Sequence, residues 1–267
     1  MCKDYAVVMD VAGTILRMYR VAKDIRRSLI LEKVVTWELM MEKKGRALVV
    51  PQIDPERIFS CRPDDALAKL VEGREDLLEI SCASSYISRD EAVRIVRCSQ
   101  ARVRDLQEVH LAVKARCPDN YRTAGLIVDG GLEEVVYVLS TGGSPFPGVK
   151  DVLLDLENLG ADVYVASGDS MRSLAGLKEL GIDLMRVYPV SSPLRKEEIV
   201  NDLKNKYRRV AMVGDGLNDL YALRAADLGI LTVQQDTRPA PRLLEAADEI
   251  IKDIKELPKI MKSAFSN

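Results

Sequence analysis

Four short polar motifs recur along this chain, and together they hold the side chains that phosphoryl transfer through a carboxylate requires. In chain order they are Asp10-Val11-Ala12-Gly13-Thr14, Ser167-Gly168-Asp169, Pro193-Leu194-Arg195-Lys196 and Gly214-Asp215-Gly216-Leu217-Asn218-Asp219. They supply a carboxylate nucleophile, hydroxyl groups, an ammonium group and a pair of metal-binding carboxylates. Because a phosphoryl group in transfer carries charge on three equatorial oxygens, its site needs cations and hydrogen-bond donors more than covalent machinery.

Short apolar runs precede the carboxylates and the second hydroxyl, and these runs are typical of buried strands. The apolar runs are 6–9, 163–166, 210–213 and 228–231. They are continuous rather than alternating, which favours a parallel sheet covered on both faces. In an open parallel sheet, catalytic residues lie at the carboxyl ends of the strands. We therefore expect Asp10, Ser167 and Asp215 to converge at one edge, and Lys196 to reach the same point from the start of its helix.

Helical patterns separate these runs from about Val149 to the end of the sequence. One helix would stop at Gly160, the next would begin with Ser170 as N-cap and stop at Gly181, and Ser192-Pro193 would open a third. Strand and helix thus alternate, which predicts an α/β fold with a doubly wound parallel sheet and right-handed crossovers.

More than a hundred residues of different character separate the first strand from this alternating block. We expect residues 20–121 to form an inserted cap domain of mixed helix and strand. Residues 1–19 and 122–267 would then form the catalytic core. The cap would lie between the first and second motifs.

Within the insertion, residues 29–41 are rich in apolar and β-branched side chains, and residues 47–53 predict a return strand after a turn. After Pro63 the pattern is helical, and Leu106, Val109 and Val113 would line one face of a helix. Two further signals are a capping box formed by Ser88 and Glu91 and a hairpin over Gly125–Leu139 around Asp129-Gly130-Gly131.

Composition describes an ordinary globular protein, with 267 residues, 47% of them hydrophobic, and a formal net charge of -2. This charge argues against nucleic acid as a partner. No stretch approaches the roughly 18 apolar residues that span a bilayer, and the N-terminus lacks the apolar segment of a secretory signal. Five cysteines without CxxC spacing favour reduced thiols and a cytoplasmic location.

On these motifs the chain resembles the haloacid dehalogenase superfamily of aspartate-nucleophile phosphotransferases, and most closely the phosphorylation domain of P-type ATPases. The combination of Asp-x-x-Gly-Thr with Gly-Asp-Gly-x-Asn-Asp carries the resemblance, over residues 1–19 and about 140–250. The resemblance implies that Asp10 is the nucleophile that becomes an aspartyl-phosphate.

The resemblance also implies roles for the other motif residues. Thr14, Ser167 and Lys196 would act with Asp10 in catalysis, and the phosphate would be bound by Gly13, Thr14, Ser167, Gly168, Lys196 and Asn218. Asp10, Asp215 and the main-chain carbonyl of Ala12 would hold Mg²⁺, with Asp219 supporting these ligands from behind. Hard oxygen ligands suit Mg²⁺ rather than zinc.

Ala12 departs from the pattern of most phosphatases of the superfamily, which carry a second Asp at this position. That Asp protonates the leaving group and later activates water, and such help is worth about 10²–10⁴-fold. P-type ATPases carry Thr at this position, and phosphonoacetaldehyde hydrolases carry Ala and use a lysine of the cap instead. The sequence identifies no such lysine here.

Within the insertion, His110 shares a helical face with Leu106 and Val113, which favours a structural histidine over an acid or base borne by the cap. Five arginines form a loose basic cluster, interpreted as a solvated surface rather than as a clamp for an anionic substrate: Arg89, Arg94, Arg97, Arg102 and Arg104. The single Trp37 is interpreted as a packing residue.

The sequence therefore predicts a Mg²⁺-dependent phosphohydrolase or phosphotransferase that favours good leaving groups because of Ala12. Its partner would be a small phosphorylated substrate or a nucleotide. The alternative is a catalytically weak phosphate- or nucleotide-binding sensor or scaffold on the same fold. DNA binding through the arginine-bearing helices is disfavoured, and the sequence leaves substrate identity and oligomeric state open.

Overall fold

The computed structural model describes residues 4–117, 121–169, 171–235 and 238–265. The chain divides into two compact units. The first, here called the core unit, comprises Met1–Met18 and Ser144–Asn267. The second, the inserted unit, comprises Tyr19–Gly143.

Strands account for twelve segments of the described residues. They are β1 (Tyr5–Met9), β2 (Leu16–Asp24), β3 (Leu29–Glu32), β4 (Arg46–Pro51), β5 (Leu78–Ala83), β6 (Tyr121–Asp129), β7 (Glu134–Pro145), β8 (Ala161–Ala166), β9 (Val187–Tyr188), β10 (Arg209–Gly214), β11 (Leu228–Thr232) and β12 (Glu249–Ile251).

Helices account for ten further segments of the same ranges. They are α1 (Thr36–Met41), α2 (Pro55–Ser60), α3 (Arg89–Cys98), α4 (Val103–Arg116), α5 (Val149–Asn158), α6 (Met171–Leu174), α7 (Pro193–Lys204), α8 (Leu220–Ala225), α9 (Pro241–Leu244) and α10 (Leu257–Phe265). Short 3₁₀ turns lie at Leu67–Val71, Glu75–Leu77, Ala175–Leu180, Leu184–Arg186, Leu217–Asp219 and Ile254–Glu256.

The core unit contains a parallel sheet with the strand order β12-β11-β10-β1-β8-β9. β1 lies in the middle, with Met9 level with Val213 of β10 on one side and with Val165 of β8 on the other. The chain therefore reverses its direction of winding at β1, where open α/β sheets place their sites. The predicted α/β class with a parallel sheet is confirmed.

The helix caps that the sequence predicts for the core unit are present in the structure. Gly160 and Gly181 both have the left-handed backbone that favours glycine, with φ of +81° and +93°. The Ser192 side chain accepts a hydrogen bond from the Arg195 amide at the start of α7, and Pro193 follows it. The predicted cap at Ser170 lies outside the described residues.

The inserted unit contains a second sheet with the order β3-β2-β7-β6-β4-β5. The pairings β2–β3, β4–β5, β4–β6 and β6–β7 are antiparallel. Leu106, Val109 and Val113 of α4 are buried in its core, as their spacing predicts. The hairpin also forms as predicted, with β6 ending at Asp129 and β7 beginning at Glu134.

The predicted return to the core at residue 122 is wrong, because the chain rejoins the core unit only at Ser144. The reason is strand pairing: Leu48 of β4 faces Ile127 of β6, and Ile127 faces Tyr137 of β7, so residues 122–143 complete the inserted sheet. The turn residues of a hairpin indicate that it forms but not which sheet it joins. They could therefore not show where the inserted unit ends.

Three local expectations for the insertion also differ from the structure. Residues 29–41 form a short edge strand and then helix α1, because Glu38, Leu39 and Met40 are good helix formers and the two apolar ones are buried. Trp37 on α1 is not a packing residue, since it is 58% exposed. The helical pattern after Pro63 is interrupted by β5.

Candidate active site

Asp10 follows β1 directly and opens a loop of residues 10–15, here called the Asp10 loop, which leads into β2. The Asp10 amide donates a hydrogen bond of 2.9 Å to the Val213 carbonyl of β10, so the edge of the sheet fixes this residue. The amides of Thr14, Ile15 and Leu16 then all donate to the Val11 carbonyl. The loop therefore folds back tightly and places its side chains beside the carboxyl ends of β1 and β10.

Gly13 is required for both its backbone and its lack of a side chain. Its φ is +80°, in the left-handed region that L side chains rarely adopt. A Cβ at this position would collide with the Asp215 carboxylate. Glycine thus lets the Asp10 loop approach the fourth motif closely.

Asp219 organises the turn after β10. Its Oδ2 accepts hydrogen bonds from the amides of Asp215 and Gly216, each at 3.1 Å. Its Oδ1 accepts a hydrogen bond of 2.7 Å from Lys196 Nζ. Because these bonds use both oxygens of a fully buried carboxylate, Asp219 is suited to holding the turn and the lysine in place.

Lys196 lies in the first turn of α7 and is fully buried. Its Nζ donates to Oδ1 of Asp10 at 2.5 Å as well as to Asp219. Burial lowers the pKa of Lys196, but the charges and hydrogen bonds of Asp10 and Asp219 outweigh that effect and raise it above its ordinary value. Lys196 is therefore an ammonium ion fixed between two carboxylates.

Burial raises the pKa of the Asp10 carboxyl above its ordinary value, the nearby Lys196 ammonium lowers it, and the Asp219 charge raises it again. A buried carboxylate of this kind is stabilised by whatever positive charge the site holds. Lys196 supplies one such charge, so the ionised form of Asp10 depends directly on this lysine.

Asp10, Asp215 and Asp219 each offer a carboxylate oxygen within 4.8 Å of the others. With Lys196 counted, three negative charges face one positive charge, which leaves a formal charge of -2. That excess matches one divalent cation, and an all-oxygen donor set suits a hard ion. The side chains present therefore fit a metal of this kind.

The residues expected to bind phosphate are distributed around this cluster. The Thr14 hydroxyl is fully buried and has no hydrogen-bond partner among the described residues. Ser167 is buried after β8, the strand next to β1, and its Oγ donates to Asp169 at 3.2 Å. Gly168 and Asn218 are exposed on the loops of their motifs. A buried hydroxyl without a partner is suited to an anion that brings its own acceptors.

The site contains one residue that the sequence analysis missed. Gln234 lies just after β11, with its side chain buried, and its amide donates to the Thr14 carbonyl. The signal for it was slight: a polar residue following a buried parallel strand at the edge where the other motifs meet.

Comparison with known proteins decides the family. The pattern of one family, described as haloacid dehalogenase-like hydrolase, matches residues 6–227 and so includes all four motifs. The chain is a haloacid dehalogenase-like hydrolase. It is 31% identical to a "Soluble P-type ATPase-like phosphatase" of Methanocaldococcus jannaschii over 264 residues, which are 98% of this chain and 94% of that protein.

Some transporting ATPases are similar in sequence to part of this hydrolase. The "Probable copper-importing P-type ATPase A" of Enterococcus hirae is 32% identical over 99 residues, 37% of this chain but 14% of the ATPase. A solved catalytic domain of a CPx-ATPase is 30% identical and covers 52% of this chain and 53% of its own, with a TM-score of 0.45. None of the helices in the described ranges is long and apolar enough to cross a bilayer.

In the inserted unit of this hydrolase, the candidate side chains have structural partners. His110 is fully buried, with Nδ1 3.3 Å from the Ser140 hydroxyl and its ring 5.4 Å from that of Phe59. Three members of the arginine cluster form ion pairs: Arg94 with Glu133, Arg97 with Glu75, and Arg104 with Asp64. These contacts favour the structural interpretation of both features.

A buried lysine also lies in the inserted unit, where a hydrolase lacking the second Asp could use one. Lys23 Nζ donates to Asp105 at 2.8 Å and to Glu108 at 2.6 Å. Burial lowers the pKa of Lys23, but the hydrogen bonds and charges of Asp105 and Glu108 raise it above its ordinary value. Lys23 is therefore a charged partner of two carboxylates, which is the opposite of the neutral amine that covalent lysine catalysis needs.

Proposed function

We propose that this hydrolase is a Mg²⁺-dependent phosphatase that works through an aspartyl-phosphate on Asp10. A carboxylate oxygen of Asp10 attacks the phosphorus atom, and the bond to the leaving oxygen breaks, so that the leaving group departs with the electron pair. Water then attacks the same phosphorus, the bond to Asp10 breaks, and inorganic phosphate is released.

The other side chains stabilise charge during both steps. Lys196 neutralises the transferring group while it keeps Asp10 ionised and in place. The hydroxyls of Thr14 and Ser167 donate hydrogen bonds to phosphoryl oxygens, with Gly13, Gly168 and Asn218 in the loops around them. Asp219 holds Lys196 and the turn that carries Asp215.

Mg²⁺ would be held by Asp10, Asp215 and the Ala12 carbonyl, and when bound it neutralises charge on the phosphoryl oxygens. The excess of two negative charges in the carboxylate cluster supports this part of the proposal. Asp219 would act from behind these ligands, because both of its oxygens are already engaged.

The observation that carries the proposal is the contact of Lys196 with Asp10 inside a cluster that has more carboxylates than cations. A purely structural lysine needs only enough carboxylate groups to neutralise its single positive charge. Here the cluster contains a third carboxylate, and the buried Thr14 hydroxyl beside it has no hydrogen-bond partner within the part of the chain that the structure describes.

Ala12 sets the class of substrate. Without a carboxyl group two residues after Asp10, the leaving group receives no proton from that position, so poor leaving groups such as alkyl alcohols are penalised most. We therefore propose a small phosphorylated compound with a good leaving group, a phosphoanhydride of a nucleotide or an acyl phosphate included. The inserted unit would act as the cap that selects among them.

The test is turnover of p-nitrophenyl phosphate, which has a good leaving group, with Mg²⁺ and with Asp10→Asn as blank. Acetyl phosphate and an alkyl monophosphate extend the series. We expect turnover of the first two, slow turnover of the third, and labelled protein when a good substrate carries ³²P. Binding of phosphate or nucleotide without any turnover would instead favour the sensor or scaffold.

A further inference from the structure

Two adjacent glutamines after β11, Gln234 and Gln235, form hydrogen bonds with the Asp10 loop and with the strand that follows it. The side chain of Gln234 is buried, and its Nε2 donates to the Thr14 carbonyl at 2.8 Å and lies 3.5 Å from the Gly13 carbonyl. Its Oε1 accepts a hydrogen bond of 3.0 Å from the Ile254 amide, which opens a 3₁₀ turn before α10. Gln234 thus ties the loop to a second fixed element.

Gln235 contacts the start of β2, just after the same loop. Its Oε1 accepts a hydrogen bond from the Met18 amide at 2.9 Å, and its Nε2 donates to the Met18 carbonyl at 3.0 Å. The side-chain amide of Gln235 therefore bonds both the amide and the carbonyl of one residue. The two glutamines engage residues four positions apart, Thr14 in the loop and Met18 in β2.

Hydrogen bonds from outside the loop add to its order, because three of its own backbone hydrogen bonds converge on one atom. The amides of Thr14, Ile15 and Leu16 all donate to the Val11 carbonyl, which has only two lone pairs to offer. The carbonyls of Gly13 and Thr14 point outward, to Gln234. A buried carbonyl that loses its partner costs more than the bond was worth, so these carbonyls would move if Gln234 were removed.

We propose that Gln234 and Gln235 are positioning residues for the nucleophile. Gln234 holds carbonyls of the Asp10 loop and Gln235 holds β2 where the loop ends, so that the Thr14 hydroxyl and the Gly13 peptide keep fixed places relative to Asp10. The proposal rests on the function proposed above for Asp10. Its structural part, that the glutamines order the loop, is independent of that function and is tested separately.

Gln234→Met is the decisive variant, because methionine keeps the length and volume of the side chain and removes both of its hydrogen bonds. Gln234→Glu keeps the acceptor for Ile254 and replaces the donor with an oxygen that faces the Thr14 carbonyl. Gln107→Met is the matched control: Gln107 Nε2 in the inserted unit donates to the carbonyls of Ile58 and Cys61 at 3.0 and 3.3 Å. The same chemical change is thus made on the same kind of contact elsewhere.

The first measurement is amide hydrogen exchange of the metal-free protein, which requires no activity. In Gln234→Met and Gln234→Glu we expect the amides of Gly13 and Leu16 to exchange at least about 10-fold faster, while those of β1 stay protected. Gln235→Met should speed exchange of the Met18 amide, in β2 just after the loop. Gln107→Met should leave the loop unchanged.

The second measurement is p-nitrophenyl phosphate turnover with Mg²⁺. Misplacement of reacting groups by about 1 Å costs about 10²-fold, so we expect kcat to fall about 10- to 100-fold in both Gln234 variants, with KM within about 3-fold. Gln107→Met should lower the melting temperature without this fall in kcat. A purely structural role would lower stability alike in Gln234→Met and Gln107→Met and would leave kcat unchanged in both.

The outcomes separate the two proposals. Unchanged exchange of the loop amides in Gln234→Met overturns the positioning role whatever the activity. Faster exchange with unchanged kcat overturns the link to the nucleophile. If the unmodified protein turns over no phosphate ester while the exchange changes appear, the function proposed for Asp10 fails and the ordering role of the glutamines stands.

Discussion

Each unit contains a buried lysine held by two carboxylates, and the difference between them separates a candidate site from a structural contact. Lys196 of the core unit contacts Asp10 and Asp219, and all three side chains are at most 4% exposed. Lys23 of the inserted unit contacts Asp105 and Glu108, and the Glu108 side chain is 44% exposed. Burial of a lysine between two acids is therefore common to both units and does not by itself identify a functional site.

The surroundings of the two lysines differ in the other charged and hydrogen-bonding groups that lie beside the ion pairs. In the core unit a third carboxylate, Asp215, completes a cluster that could hold a cation, and the buried Thr14 hydroxyl has no hydrogen-bond partner among the residues described. In the inserted unit, solvent reaches Glu108, and water can satisfy the excess charge. The two clusters therefore differ in the number of carboxylates around the lysine and in how far their side chains are exposed.

The strongest test of this comparison replaces the proposed nucleophile, Asp10, and separately Asp105, the acid that contacts Lys23. Asp10→Asn should lower turnover by about 10⁴-fold or more, because no carboxylate oxygen remains to form the phosphoenzyme. Asp105→Asn makes the same change beside Lys23 and should leave turnover within about 3-fold. Steady-state rates with p-nitrophenyl phosphate measure both, and folding is checked by circular dichroism. Equal losses in the two variants would erase the distinction.

Loss of the core lysine should have the next largest effect. Lys196→Met removes the ammonium that faces Asp10 and the transferring group, and loss of one such electrostatic partner typically costs about 10²–10³-fold in kcat. It also leaves two buried carboxylates without their counter-ion, which is destabilising by about 3–5 kcal/mol. Urea denaturation measures the second effect, and Mg²⁺ should restore part of it by mass action. A variant with full stability and full turnover would contradict the role of Lys196.

Ala12→Asp should change the rate in the opposite direction. A carboxyl group at this position supplies the acid and base that the natural chain lacks, so we expect dephosphorylation about 10²-fold faster and better use of alkyl phosphates. Decay of ³²P-labelled protein in a chase measures the first effect. Ala12→Asn has the same shape without the proton and is the matched control. Rapid turnover of alkyl phosphates by the natural protein, without a phosphoenzyme, would show that another group already acts as acid and base.

Much of the core sheet could be predicted from the sequence because most of its strands have a clear local pattern. The four predicted strands β1, β8, β10 and β11 each contain a continuous apolar run, whereas the short strands β9 and β12 were not predicted. Polar motifs follow β1, β8 and β10, and the edge of a parallel sheet brings such motifs together without further information. Asp10, Asp215, Asp219 and Lys196 do meet there. The roles assigned to them remain predictions, since they concern a reaction and not a position.

The inserted unit was less predictable because its sheet depends on pairing between distant segments. The hairpin of β6 and β7 was visible from Asp129-Gly130-Gly131, but its partner β4 lies some eighty residues earlier, so the boundary at residue 122 was wrong. Gln234 was missed for a related reason. A side chain that acts by holding a loop more than two hundred residues away leaves no periodicity in its own segment.

The smallest effect on turnover is expected from the lysine of the inserted unit. Lys23→Met should leave kcat within about 3-fold, since Lys23 has no place in the proposed chemistry. It should lower the free energy of unfolding by about 2–3 kcal/mol, less than for a fully buried pair because Glu108 is partly solvated. Urea denaturation at neutral pH measures this loss, with Arg26→Met as an exposed control that breaks the surface pair with Glu134.

The pH dependence of that stability difference sharpens the last test. The pKa of Lys23 is raised in the folded protein above its ordinary value of 10.5, so its contribution to stability is fully present below pH 10.5 and is lost as the pH rises through the folded pKa. The advantage of the natural protein over Lys23→Met should therefore be constant from neutral pH to about pH 10 and shrink above it. An advantage that persists undiminished in strong alkali would show that Lys23 acts through packing of its aliphatic stem, and the charge comparison between the two lysines would then fail on the side of the inserted unit.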